Sequence, residues 1–195
     1  MKPTEIFGIK LSKHFMNWHS SDITRLRVLQ QFGGIYLDND VYVVKSLDPF
    51  RRFEMTINWD DGLLLGNQVI VAHRNARFLQ IWLDSYHAYA PHEWYYNAGE
   101  LPTKAILWPN PHLVHRVKGG FGVNAPVVCP KIYSYYYKRW RDDWYTVHLV
   151  LRGNNITFPE WCFGREGKPP VMSFNEQNVF ELKNTFGEMC RDVMS

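Results

Sequence analysis

Two aspartates one residue apart, Asp38 and Asp40, interrupt the otherwise apolar run "GGIYLDNDVYVV". A carboxylate is costly to bury without a partner, so the pair needs compensation. Period-two spacing sends both side chains to one side of an extended chain. In open α/β sheets, ligands bind beyond the carboxyl ends of strands, which is where this pair would stand. A hard divalent cation, Mg²⁺ or Mn²⁺, takes oxygen ligands and commonly bridges carboxylates to substrate phosphates. It would offset the desolvation of Asp38 and Asp40 and neutralise charge on a departing diphosphate. The alternative is a tight Asp38-Asn39-Asp40 turn joining two strands, since these residue types favour turns. On the triplet alone the turn is the expected reading, and context must argue for the ligand role. Upstream, Asp22 and Arg25 stand three apart on one helical face, spaced either to pair with each other or to reach a ligand.

Elements that position these residues follow from periodicity and punctuation. Ile23, Leu26, Leu29 and Gln30 repeat at helical spacing, with Ser20, Ser21 or Asp22 as candidate N-caps and Gly33-Gly34 as the stop. "IYLDNDVYVV" predicts a strand, a break at 38–40 and a second short extended piece, and "KSLDPF" a turn. "GLLLGNQVIVAH" predicts two short extended runs. "NARFLQIWLDSYHAY" predicts an amphipathic helix burying Phe78, Leu79, Trp82, Leu83 and Tyr86. A short helix is expected at "LPTKAILW", with Pro102 in its first turn. "VVCPKIYSYYY" and "WYTVHLVL" read as extended. A last helix is expected from a capping box at Ser173–Glu176, with Val179, Leu182, Phe186, Met189 and Val193 on one stripe. The loop "RGNNITFPEWCFGREGKPP" lies between. Helices alternating with apolar strands argue for an α/β layer architecture.

Composition excludes several classes. At 195 residues, 46% hydrophobic and 21% charged, the chain suits one soluble globular domain. A net charge of +3 and the lack of a basic cluster argue against a nucleic-acid partner. No apolar run approaches the roughly 18 residues of a membrane span, and no signal peptide is visible. Cys129, Cys162 and Cys190 match neither a zinc pattern nor a disulfide framework. Asn155 heads a glycosylation sequon of a kind expected by chance. The aromatic share of 16% either lines a sugar cleft or packs between layers, and packing is the expectation for most of these rings.

The stretch "SDITRLRVLQQFGGIYLDNDVYVVKSLDPF" resembles the sugar-nucleotide-binding region of glycosyltransferase family 32, which includes Golgi α-1,4-galactosyl- and α-1,4-N-acetylglucosaminyltransferases. The pattern is carried by Ser21, Asp22, Arg25, Gly33, Gly34, Ile35, Tyr36, Leu37, Asp38 and Asp40. The resemblance implies a GT-A fold and a metal-dependent, retaining transfer of a sugar from a nucleotide diphosphate, with UDP expected, to a glycan or glycolipid acceptor. It makes Asp40 the direct metal ligand, and Asp38 a ribose or water-mediated metal ligand. Donor binding falls to Asp22, Arg25, Gly34, Tyr36, Asp38 and Asn67. His148, in "YTVHLVL", becomes the candidate third ligand to Mn²⁺ or Mg²⁺; a hydrogen-bonded core histidine is the competing reading. Gly99 and Glu100 fall on the acceptor side, with Glu100 where relatives carry proline. Asp60, Asp61 and Glu100 are the carboxylates open to a nucleophilic role, against the alternative of exposed loop charge.

Only 19 residues precede Ser20, and "IFGIK" offers at most one short strand. A βαβ unit needs about 30 residues, so the expectation is a single GT-A-like domain over 1–195 with its N-terminal nucleotide-binding part incomplete. By resemblance, the full-length protein would be a type II membrane protein of the Golgi lumen, and this chain itself soluble. The alternative function is a non-catalytic, truncated glycosyltransferase-like binding or accessory module.

Overall fold

The computed structural model of the protein describes residues 2–151 and 178–194. These residues fall into two units, one of 2–37 with 47–118, the other of 38–46 with 119–151 and 178–194. The Ser173–Glu176 capping box, Asn155, Cys162 and the Gly/Pro-rich loop lie outside the described residues.

The first unit begins with a hairpin, β1 (Glu5–Ile6) and β2 (Ile9–Lys10), where at most one strand was expected. Phe7 and Gly8 both take positive φ (49° and 77°), the two-residue turn whose twist matches paired strands. Helix α1 then runs Met16–Phe32, beginning earlier than the caps in the sequence suggested. Ser20 and Asp22 lie inside it and are buried, because the apolar stripe of Ile23, Leu26 and Leu29 extends back through His19. The expected stop holds. Gly33 ends the helix with φ 67°, and a Cβ there would stand 2.9 Å from the Arg74 amide nitrogen, so only glycine fits.

Strand β3 (Gly34–Leu37) follows directly. With β5 (Met55–Asn58), β6 (Gly66–Ala72) and β7 (His115–Val117) it forms a sheet of order β3-β6-β5-β7. β3 and β5 pair antiparallel with β6, whereas β5 and β7 are parallel, so the sheet is mixed. Neither β5 nor β7 was foreseen, and "GLLLGNQVIVAH" yields one strand of seven residues rather than two. Helix α2 (Arg77–Asp84) with a 3₁₀ extension Ser85–Ala88 buries Phe78, Leu79, Trp82, Leu83 and Tyr86 as its spacing predicted. These side chains join Ile23, Leu26, Leu29, Met55, Ile57 and Ile70 in one core. The helix expected at "LPTKAILW" is present as a widened, π-helical turn, Pro102–Leu107.

In the second unit, β4 (Val41–Val43) pairs antiparallel with β8 (Thr146–His148), in the register Val41↔His148. "VVCPKIYSYYY" is not extended: helix α3 (Ala125–Cys129) continues as a π-helical turn, Pro130–Ser134. Its valines and tyrosines have strand composition, but Pro126 starts a helix well, and Pro130 lacks the N–H of a regular turn, favouring the wider one. Helix α4 (Trp140–Asp143) and helix α5 (Thr185–Met194) complete the unit. Phe186 and Met189 reach the core with Val147, Trp140 and Val179, while Val193, expected on the same stripe, is exposed. Cys129 is disulfide-bonded, which its spacing did not suggest, and Cys190 is a free thiol.

Aromatic residues divide largely as packing predicts. Trp59, Trp82, Tyr86, Tyr133, Trp140 and Trp144 are buried, and Trp18, Trp94, Trp108, Tyr135 and Tyr136 are exposed.

Candidate functional site

Leu37 ends β3, and the chain then turns through Asp38-Asn39-Asp40 into β4. The Val41 N–H donates to the Asp38 carbonyl (3.1 Å), closing a tight turn. The turn reading holds, and the same turn brings Asp38 and Asp40 together. Pairing of β4 with β8 adds the third group. One ligand atom from each of Asp38, Asp40 and His148 lies within 4.8 Å of the others, and all three residues are half-buried. His148 Nε2 is 3.2 Å from Asp40 Oδ1.

Asp40 is the hub. Its other oxygen, Oδ2, accepts the Leu151 N–H at 2.8 Å, and its carbonyl accepts the Leu149 N–H at 2.8 Å. Burial pushes the Asp40 carboxyl up. The hydrogen bond and charge of His148, with the N–H groups of Leu151 and Asp40 itself, outweigh burial and leave the group below its ordinary value. It is a carboxylate at neutral pH, as a metal ligand must be.

The donor set suits a hard or borderline divalent cation: two carboxylates and one imidazole, matching the preferences of Mn²⁺ or Mg²⁺. Neighbouring ligands on an octahedral ion with bonds of about 2.1 Å stand about 3 Å apart, close to the Asp40–His148 spacing. The residues present fit such an ion.

The sequence-derived donor residues sit mostly in a second cluster, inside the first unit. Arg25 projects from α1 and donates to the Asn67 carbonyl (2.7 Å) and to Asn67 Oδ1 (3.2 Å) at the start of β6. Asn67 Nδ2 in turn donates to Asp22 Oδ1 (2.9 Å), and Arg25 pairs with the same oxygen at 3.2 Å. The guanidinium lies over the Tyr36 ring, 4.6 Å from its centroid. Asp22, Arg25 and Asn67 are all buried. Gly34 is apart from this cluster, exposed at the opposite end of β3.

Gly99 is buried, and a Cβ there would collide with the Tyr95 ring. Glu100 pairs with Lys104 at 2.6 Å. Asp61 is exposed and pairs with Arg116 and Lys118. Sequence reasoning passed over the residues that back the Asp38–Asp40–His148 cluster. The Tyr133 hydroxyl donates to the Leu149 carbonyl (2.6 Å), and the Gly122 carbonyl accepts the His148 N–H (3.0 Å). The run "KGGFG" was a usable signal for the second contact, because a Cβ at Gly122 would lie 2.6 Å from the Thr146 carbonyl oxygen.

Two carboxylates from the turn and an imidazole from β8 thus converge within the second unit. Residues 3–57 match the family described as glycosyltransferase sugar-binding region containing DXD motif, and the match spans both Asp38 and Asp40. Among curated proteins, the chain is similar to Glucan organizing enzyme 1 of Cryptococcus neoformans var. grubii, 31% identical over 135 residues, covering 56% of this chain and 36% of that protein. It is also similar to Uncharacterized protein At4g19900 of Arabidopsis thaliana, 36% identical over 76 residues, covering 37% of this chain and 11% of that protein. The chain thus spans about a third of the first relative's length and about a tenth of the second's. No solved structure matches. These similarities support a glycosyltransferase-like character, and the mixed α/β architecture is compatible with it.

Proposed function

We propose that the chain is a GT-A-like part of a metal-dependent, retaining glycosyltransferase of the family 32 type. It would move a sugar from a UDP donor to a glycan or glycolipid acceptor. The observation that carries this reading is the convergence of Asp38 and Asp40, inside the matched D-x-D region, with His148, which lies beyond it.

In this reading Asp40 and His148 hold Mn²⁺ or Mg²⁺ directly, and Asp38 holds it directly or through water. A cation bound there supplies positive charge against the departing diphosphate. The chain's own contribution is placement. Asp40 is held at Oδ2 by the Leu151 N–H, so a cation would replace the contact between Asp40 Oδ1 and His148 Nε2 while Leu151 keeps the carboxylate in place. Asp22, Arg25, Tyr36 and Asn67 satisfy one another, which supports a framework role in donor binding rather than direct contact. Gly34, Gly99 and Glu100 remain donor- and acceptor-side residues of the proposal. Exposed ion pairs at Glu100 and Asp61 favour loop charge over a nucleophilic role for both.

Residence in an oxidising lumen such as the Golgi fits the disulfide at Cys129. No helix among the described residues is long and apolar enough to cross a membrane.

Calorimetric titration of UDP with and without Mn²⁺, on the wild type and on Asp40→Ala, tests the proposal. Metal-dependent UDP binding that the substitution abolishes is expected. UDP binding indifferent to Mn²⁺ would remove the metal from the site. Absence of UDP binding in both conditions would favour a non-catalytic accessory role for the chain.

A further inference from the structure

Metal-ligating histidines almost always donate their second ring nitrogen to a carboxylate, carbonyl or water, which fixes the ring's orientation. His148 departs from this pattern: its Nδ1 is buried without a hydrogen-bond partner among the described residues. The ring meets Asp40 through Nε2 alone. Among the described residues, its aim comes from the backbone that carries it.

That backbone is unusual immediately after the histidine. Val150 is buried with φ +56°, a left-handed conformation that a β-branched residue rarely adopts. Strain of this kind persists only where surrounding contacts over-determine it. Here three contacts do so. Leu149 donates its N–H to the Asp40 carbonyl, the Leu149 carbonyl accepts the Tyr133 hydroxyl at 2.6 Å, and Leu151 donates its N–H to Asp40 Oδ2. Two of these come from a proposed ligand. The third comes from a buried tyrosine outside the ligand set.

We propose that Tyr133 is a positioning residue for the metal cluster: its hydroxyl locks the strained turn at Val150 that aims the His148 imidazole at Asp40. The turn holds the ring by its main chain. Because Asp40 grips the same turn, carboxylate and imidazole are fixed as one unit rather than as two independent side chains. This inference rests on the reading of Asp38, Asp40 and His148 as metal ligands.

The test is Tyr133→Phe, which removes one hydroxyl and keeps the ring in the core. Mn²⁺ affinity is followed by electron paramagnetic resonance, and the His148 imidazole ¹⁵N resonances are followed without metal. The expected result is Mn²⁺ binding weakened about 10-fold, the scale of lost outer-shell contacts, together with displaced or broadened His148 ring signals. A purely structural tyrosine would lower the thermal midpoint while leaving Mn²⁺ affinity within about twofold and the ring signals in place, and that result overturns the proposal. If Tyr133→Phe does not fold, Val150→Gly is read in the same way, since glycine accepts the left-handed backbone but no longer restricts it. A wild type that binds no Mn²⁺ would refute the metal reading. The metal-free ring signals would then decide the positioning role by themselves: displacement upholds it and constancy overturns it.

Discussion

Arg25 illustrates what a single side chain can be made to do when its charge is buried. Its guanidinium is spent on Asp22, Asn67 and Ser21 and on the face of Tyr36, with almost none of it open to water. Such a pair is not in itself evidence of high stability, because desolvation offsets the attraction, but removing one partner strands the other. Arg25→Ala is therefore expected to destabilise the protein by about 3–5 kcal/mol, seen as a large fall in the urea midpoint. An exposed pair such as Arg51–Asp48 is expected to change it by less than about 1 kcal/mol when Arg51 is replaced. At this scale the sequence was most legible where chemistry is local. Asp22 and Arg25 share a helical face, and Asp38 and Asp40 share a side of the chain. Tyr133 was illegible, because nothing in a tyrosine's neighbours along the chain says that its hydroxyl will meet Leu149.

Helix α1 shows how an element can be anchored by a titratable group. It has no side-chain N-cap. Near its start, His19 is buried, with Nδ1 2.5 Å from the Tyr89 hydroxyl and Nε2 3.2 Å from the Trp94 carbonyl. The carbonyl can only accept, so Nε2 carries the proton and the neutral ring accepts from Tyr89 at Nδ1. Burial pushes the His19 pKa down, outweighing the carbonyl bonds that raise it. A histidine with a depressed folded-state pKa binds fewer protons folded than unfolded. Its contribution is therefore intact above about pH 6.5 and is lost as the pH falls below that value toward the folded pKa. Stability by urea unfolding should fall between pH 7.5 and 5.5, and His19→Gln should flatten that dependence. His115, also pushed down by burial, acts with the same sign and stays in both proteins, so the difference between them reports His19. A slope unchanged by the substitution would mean that the ring is already solvated. Periodicity found the helix but misplaced its start, since serines and an aspartate ordinarily cap helices and here face inward. It misread α3 for the complementary reason: valine and tyrosine composition suggested a strand, whereas Pro126 and Pro130 set a helix that widens.

Across the whole molecule, the division into two units depends on pairing that no local window contains. Val41 meets His148, more than a hundred positions away, and this pairing assigns 38–46 to the second unit while 34–37 belong to the first. The sequence reading of strand, break and strand was right about the elements and silent about the sheets they join, because strand partners are chosen by packing rather than by the strand itself. One consequence can be tested by dividing the chain. A fragment of residues 1–118 keeps every core residue of the first unit, from Ile6 to Val114, along with the Asp22–Arg25–Asn67 network. It also keeps Asp38 and Asp40 but leaves β4 without β8 and the cluster without His148. Circular dichroism should show retained helix and cooperative unfolding, whereas the Mn²⁺ binding proposed for the whole chain should be lost, because two carboxylates on an unpaired turn lack both His148 and the Leu151 N–H. A fragment that binds Mn²⁺ as the whole chain does would remove His148 from the ligand set and return the aspartates to a self-sufficient turn. Loss of cooperative unfolding would instead mean that the first unit's core does not stand alone, and that the residues after Lys118 contribute to its folding as well as to the metal cluster.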